Sequence, residues 1–252
     1  METRFRSSEF GWGDIMEEAW EIIRAGAASI LPLAVVFALV NSIVLYISAG
    51  EDFTTGQNID TTALGLQCVL SLVIFIMAVF ATTAMLYLVE AIVKGQPENI
   101  PAALRYALSR LPQVLLVTFL VGASITIGIT FLIFPGIIIG AYLTFAVQTA
   151  SLRKVGLPSI QYSIDLVQGH WWHVCLMMLG LVIPLGLISS FFSWLGGILA
   201  PAIGMGTIFV YFIDSAVLFL YSVTWAVFFL NTDYLAHPVK PAASIPEQSV
   251  TL

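Results

Sequence analysis

Six stretches of this 252-residue chain, at 27–48, 64–92, 113–134, 136–152, 172–195 and 207–231, are apolar over about the 20 residues a helix needs to cross a bilayer. Composition agrees with them. Hydrophobic residues make up 59% of the chain and charged residues 10%, and the mean hydropathy is +0.98. A soluble domain carries about 25% charge, so this chain has too little to coat a water-exposed surface. The expectation is an all-α, polytopic integral membrane protein with six transmembrane helices. Nine Lys and Arg and a pI near 4.9 exclude a basic footprint for nucleic acid.

Charge placement orients the spans. Six crossings put residues 1–26, 93–112, 153–171 and 232–252 on one side. Those segments hold Arg4, Arg6, Arg24, Lys94, Arg105, Arg110, Arg153, Lys154 and Lys240, which is every basic residue in the chain. The opposite loops, 49–63 and 196–206, hold Glu51, Asp52 and Asp60 and no base. Basic residues stay in the cytoplasm, so the chain is expected in the cytoplasmic (inner) membrane, multi-pass, with both termini cytoplasmic. The first 26 residues carry six acids and lack the short apolar core after a basic start that marks a signal peptide. Trp20, Trp171 and Trp172 are placed as interfacial anchors, with Tyr46 and Trp194 near the outer boundary.

The third and fourth runs are parted only by Pro135-Gly136. Proline cannot continue a helix and glycine permits a tight reversal, so 113–152 is expected to form a hairpin turning at this pair. A single re-entrant segment is the competing arrangement.

Three segments on the basic side read as short amphipathic helices. In 14–24, Ile15, Met16, Ala19, Trp20, Ile22 and Ile23 form an apolar face opposite Glu17, Glu18, Glu21 and Arg24. In 99–111, Asn99 is placed as the N-cap and Pro101 in the first turn. A stripe of Ala103, Leu104, Ala107, Leu108 and Leu111 follows. In 158–168, Ile160, Ile164 and Val167 oppose Gln161, Asp165 and Gln168. Each segment precedes two spans, giving three hairpins, each preceded by a cytoplasmic interfacial amphipathic helix. The domain plan is a flexible N-terminus at 1–13, a six-span membrane domain at 14–235 and a disordered tail at 236–252, which contains Pro238, Pro241 and Pro246.

The segments "DIMEEAWEIIRAGAASILPL", "ALRYALSRLPQVLLV" and "FPGIIIGAYLTFAVQTASLRKVGLPSIQYSIDLVQGHWWHV" carry a likeness. Over roughly 14–235 the chain resembles a bacterial six-span membrane family. That family includes the membrane domain fused to some glycerophosphoryl diester phosphodiesterases, and the YciC-like and DUF975-like proteins share its layout. The shared stretch before span five falls here on Ser163, Leu166, Val167, Gly169 and Trp171-Trp172. The resemblance implies a membrane protein without assigned chemistry. The phosphodiesterase activity of fused relatives belongs to a separate domain. The chain has no His-Arg dipeptide and no soluble segment long enough for a barrel.

Little else points to chemistry. Nucleophile-elbow, zinc-protease and Walker A motifs are missing from the sequence, and neither an enzymatic activity nor a cofactor or metal is expected. His170, His173 and Cys175 are spaced loosely like metal ligands, but on a helix Cys175 points elsewhere. Gly204-Met205-Gly206 reads as a turn. Ionisable groups at membrane depth are functional candidates by default. Asp214 in span six and Glu90 in span two are therefore the ligand or proton candidates, with Lys94 placed to pair with Glu90 at i,i+4. Asn41, Gln67 and Gln148 are expected to join helices. Pro184, near Gly180 and Gly186, should loosen span five, and Gly122, Ala123, Ser124 and Gly128 permit close helix approach in span three.

The functional expectation is a non-enzymatic membrane protein that organises or binds lipid or other membrane components. Its partners would be membrane lipids and either a protein partner or a second copy. A transporter or exporter of a small or lipophilic solute, with Asp214 as coupling group, is the alternative.

Overall fold

The computed structural model describes residues 5, 9–49, 61–153, 156–199 and 206–237. Glu51, Asp52, Asp60, Lys154, Gly204, Met205 and the prolines of the tail lie outside them, as do Arg4, Arg6 and Lys240. Among the described residues there are nine helices and no strand. They are α1 (Trp12–Ala25), α2 (Ala27–Ala49), α3 (Thr61–Val93), α4 (Ile100–Phe131), α5 (Ile133–Leu143), α6 (Ala146–Leu152), α7 (Pro158–Val167), α8 (Trp171–Leu199) and α9 (Gly206–Ala236). Six stretches are long and apolar enough to cross a membrane, the fourth running through α5 and α6 from Phe134 to Leu152. The protein is an all-α polytopic membrane protein.

The spans pack as a ring in chain order. α2 contacts α3, α3 contacts α4, α4 contacts α5, α5 contacts α8 and α8 contacts α9, which closes back on α2. α9 also reaches across to α3, and Phe228, Phe229, Leu230 and Val227 of α9 are completely or almost completely buried. Where α9 crosses, the ring is therefore filled by side chains.

The segment at 99–111 is not a separate interfacial helix. Asn99 caps α4 by accepting from the Ala102 N–H at 3.1 Å, but the helix then runs unbroken through Pro112 to Phe131. Its 32 residues extend for about 48 Å at 1.5 Å per residue, against about 30 Å of hydrocarbon. The surplus is the basic first third, with Arg105 and Arg110. Pro112 lies inside the helix and removes one N–H from its ladder.

The reversal after α4 falls at Leu132, which is extended (φ −160°, ψ 128°), three residues ahead of the pair the sequence suggests. Pro135 and Gly136 sit inside the first turn of α5, where proline needs no helical donor. Gly136 matters for packing rather than for the turn. A Cβ there would stand 2.5 to 2.9 Å from Ile129, so the glycine lets the two arms touch. Val114, Val117 and Val121 of one arm pack with Leu143, Ala146 and Ala150 of the other, as in an antiparallel hairpin.

The inward faces of α1 and α7 also differ from the apolar pattern. α1 buries Ile15, Glu18, Ala19 and Ile22 and exposes Met16 and Trp20. α7 buries Ser159, Ser163, Leu166 and Val167, with Ile160 and Ile164 only partly covered. A face that meets lipid is as apolar as one that meets protein, so hydrophobicity does not select between them.

Candidate functional site

Four helices deliver charged and polar side chains to one locus at the basic end of the bundle. α3 ends in a Schellman cap, with Gly95 at φ +66° and the Gln96 N–H reaching back to Ala91 O at 2.9 Å. One turn earlier it presents Glu90, which accepts from Lys94 Nζ at 2.7 Å. Arg153, just past α6, donates from one guanidinium nitrogen to Glu90 Oε1 at 2.5 Å and from Nε to Asp233 Oδ2 at 2.9 Å. The other Asp233 oxygen accepts the hydroxyl of Tyr162 from α7. His237, at the end of α9, stacks on the Tyr162 ring with centroids 5.4 Å apart and places Nδ1 3.1 Å from its hydroxyl.

The electrostatics of this hub are balanced: Arg153 and Lys94 against Glu90 and Asp233. Asp233 is 4% exposed at its side chain and Glu90 11%, so neither carboxylate is tolerable without its partner. Burial alone would lower the Arg153 pKa, but Glu90 and then Asp233 outweigh it and hold the guanidinium above its ordinary value. Burial first, and donation to Asp233 second, raise the Tyr162 phenol above its ordinary value near 10.

Beside the hub, Ser163 repairs a break in span four. The helix is interrupted at Thr144 and Phe145 between α5 and α6. The Ser163 hydroxyl donates to Tyr142 O at 2.8 Å and accepts from Phe145 N–H at 3.2 Å. One buried hydroxyl thus satisfies a carbonyl and an amide at the break, as buried backbone requires. On α9, Asn231 does the same for the N-terminal segment. Its Nδ2 donates to Phe5 O and its Oδ1 accepts from Phe10 N–H, each at 3.0 Å.

Of the residues singled out from sequence, Glu90 belongs to the hub and Asp214 does not. Asp214 is partly buried near the other end of α9 and accepts from Ser189 of α8 at 2.5 Å. Next to it, Ser215 accepts from Asn41 of α2 at 2.7 Å, so this second polar level ties α9 to both neighbours. Trp20 is exposed with Arg24 over its ring at 4.9 Å. Trp171 and Trp172 meet edge to face at 4.7 Å, and Trp172 is 71% exposed. His170 and His173 lie at the start of α8 while Cys175 is buried. Among the described residues no group of three His, Cys, Asp or Glu is placed to hold a metal.

Sequence reasoning did not single out Arg153, Tyr162, Asp233 or Asn231 for a site, and put Glu18 on the solvent face although it is fully buried. Only Asp233 carried a usable signal, as a carboxylate three residues from the end of an apolar helix. The fold and this hub define a six-span helical membrane protein. No family model, curated protein or solved structure matches the chain.

Proposed function

We propose that this chain is a non-enzymatic protein of the cytoplasmic membrane that binds or organises lipid, with its basic side and both termini in the cytoplasm. One observation carries the reading. Polar groups from different spans are paired with one another, as in Arg153–Glu90, Arg153–Asp233, Ser189–Asp214 and Asn41–Ser215. Near the basic end, the large apolar side chains of Trp20, Leu108, Leu157 and Trp172 are turned outward. Amphipathic aromatic rings favour headgroup depth. The same proposal places the chain in the six-span family it resembles.

The test is native mass spectrometry of the full chain released from nanodiscs of mixed phospholipids. Selective retention of a lipid class is expected. Bulk lipid composition on the purified protein, together with unchanged membrane lipids in cells lacking it, would overturn the reading.

A second reading, solute transport coupled through Asp214, draws on the position of that carboxylate against α8, which carries Pro184 within it. It requires pH-dependent flux in proteoliposomes that disappears in Asp214→Asn. Equal flux in both proteins would remove Asp214 from any such mechanism.

A further inference from the structure

Two adjoining hollows open where α7 gives way to α8 at Gly169, whose φ of +94° turns the chain from the interfacial helix into the span. The first, of about 250 Å3, has an aliphatic wall of Leu166, Val174 and Leu235 and a polar rim of Glu9, His173 and Thr232. The second, of about 350 Å3, is lined by Trp171 and Trp172. His170 and His173 border both.

The backbone beside the rim is anchored. Glu9 lies in the segment that Asn231 pins at Phe5 and at Phe10, and its Oε1 stands 3.8 Å from His170 Nε2. Thr232 spends its hydroxyl proton on Phe228 O at 2.9 Å, which leaves its oxygen an acceptor at the rim.

We propose that this cleft binds the headgroup of a phospholipid bearing a primary amine, of the phosphatidylethanolamine type. The inference rests on the lipid-binding reading and names its ligand. A primary ammonium brings three N–H donors. Glu9 and Thr232 Oγ1, both on the first hollow, are the acceptors for them. A quaternary ammonium has no N–H to use these acceptors. The phosphate is met by ring N–H groups of His170 and His173. No Lys or Arg lines either hollow among the described residues, and Glu9 repels a purely anionic headgroup. Hollows of about 250 and 350 Å3 give room for a headgroup whose acyl chains stay in the bilayer.

The experiment places the full chain in nanodiscs of phosphatidylethanolamine, phosphatidylglycerol and phosphatidylcholine in equal parts and reads co-purifying lipid by native mass spectrometry. Wild type is expected to enrich phosphatidylethanolamine. Glu9→Gln, which keeps the size of an exposed side chain, is expected to lose about tenfold in that preference, the scale of one charge-assisted hydrogen bond. Thr232→Val should lose part of it. Enrichment that persists in Glu9→Gln, or enrichment of another class, overturns this site while leaving lipid binding intact. No enrichment of any class overturns both. Soluble phosphoethanolamine bound as well as the lipid would make the ligand a soluble one and overturn the assignment to a bilayer component.

Discussion

Arg153 Nε stands 2.9 Å from Asp233 Oδ2, joining the end of span four to the last turns of span six across 80 residues of chain. The same guanidinium holds Glu90 of span two at 2.5 Å, so one side chain fastens three spans at the basic end. A bidentate fork suits arginine and not lysine, which offers a single point charge.

Removing the fork should be costly. Arg153→Met leaves Glu90 with Lys94 alone and Asp233 without its guanidinium, and breaking a buried pair this way costs about 3–5 kcal/mol. Thermal unfolding in detergent should show a large fall in Tm for Arg153→Met. A smaller fall is expected when Glu90→Gln and Asp233→Asn are combined with it. If the triple variant is no more stable than the single one, the carboxylates are not what Arg153 neutralises.

Ser163→Ala should destabilise the protein by about 1–3 kcal/mol, the cost of leaving buried backbone groups without a partner. Ser159→Ala is the control, because among the described residues that hydroxyl bonds only to Gly156 O in its own turn, at 2.7 Å. Equal melting curves for the two variants would mean that the break at Thr144 and Phe145 does not depend on Ser163.

Tyr162 gives the pH dependence. Its folded pKa is raised, so the neutral phenol stabilises the native state. That contribution is complete below the unfolded value, near 10, and is lost as pH rises through the folded value. The ultraviolet phenolate signal of wild type minus Tyr162→Phe should have its midpoint above 10. A midpoint at or below 10 would count against the buried bond to Asp233.

Two glycines on the third and fourth spans should respond oppositely to a methyl group. At Gly136 a Cβ meets Ile129 backbone at 2.7 Å, whereas at Gly122 nothing lies within 4 Å. Gly136→Ala is expected to cost about 1–3 kcal/mol through overpacking. Gly122→Ala should be neutral or slightly stabilising, since alanine is the better helix former. Similar losses in chemical denaturation would show that the hairpin arms do not touch at Gly136.

The spans were legible because their signal is local: about 20 apolar residues make a crossing wherever they occur. Asn99 as a cap was legible for the same reason. The Glu90–Lys94 pair was also visible at its i,i+4 spacing, but it is the lesser part of the hub. Arg153, Tyr162 and Asp233 are 63 to 143 residues from Glu90 in the chain, and no spacing rule links residues so far apart. The reversal at Leu132 was displaced from Pro135-Gly136 because proline tolerates the first turn of a helix as well as a loop.

By itself the amino-acid sequence determined that the chain is helical and that it carries six stretches long and apolar enough to cross a membrane. Backbone groups in hydrocarbon must be paired locally, and that demand is met within each helix. Tertiary structure alone decided which helix faces meet. In lipid the outward residues are as apolar as the inward ones, so burial of Glu18 and exposure of Trp20 could not be read from pattern. Buried charges then had to find partners wherever packing brought them. Arg153 came to Glu90 and Asp233 because an unpaired buried charge costs several kcal/mol, of order the whole stability of a fold.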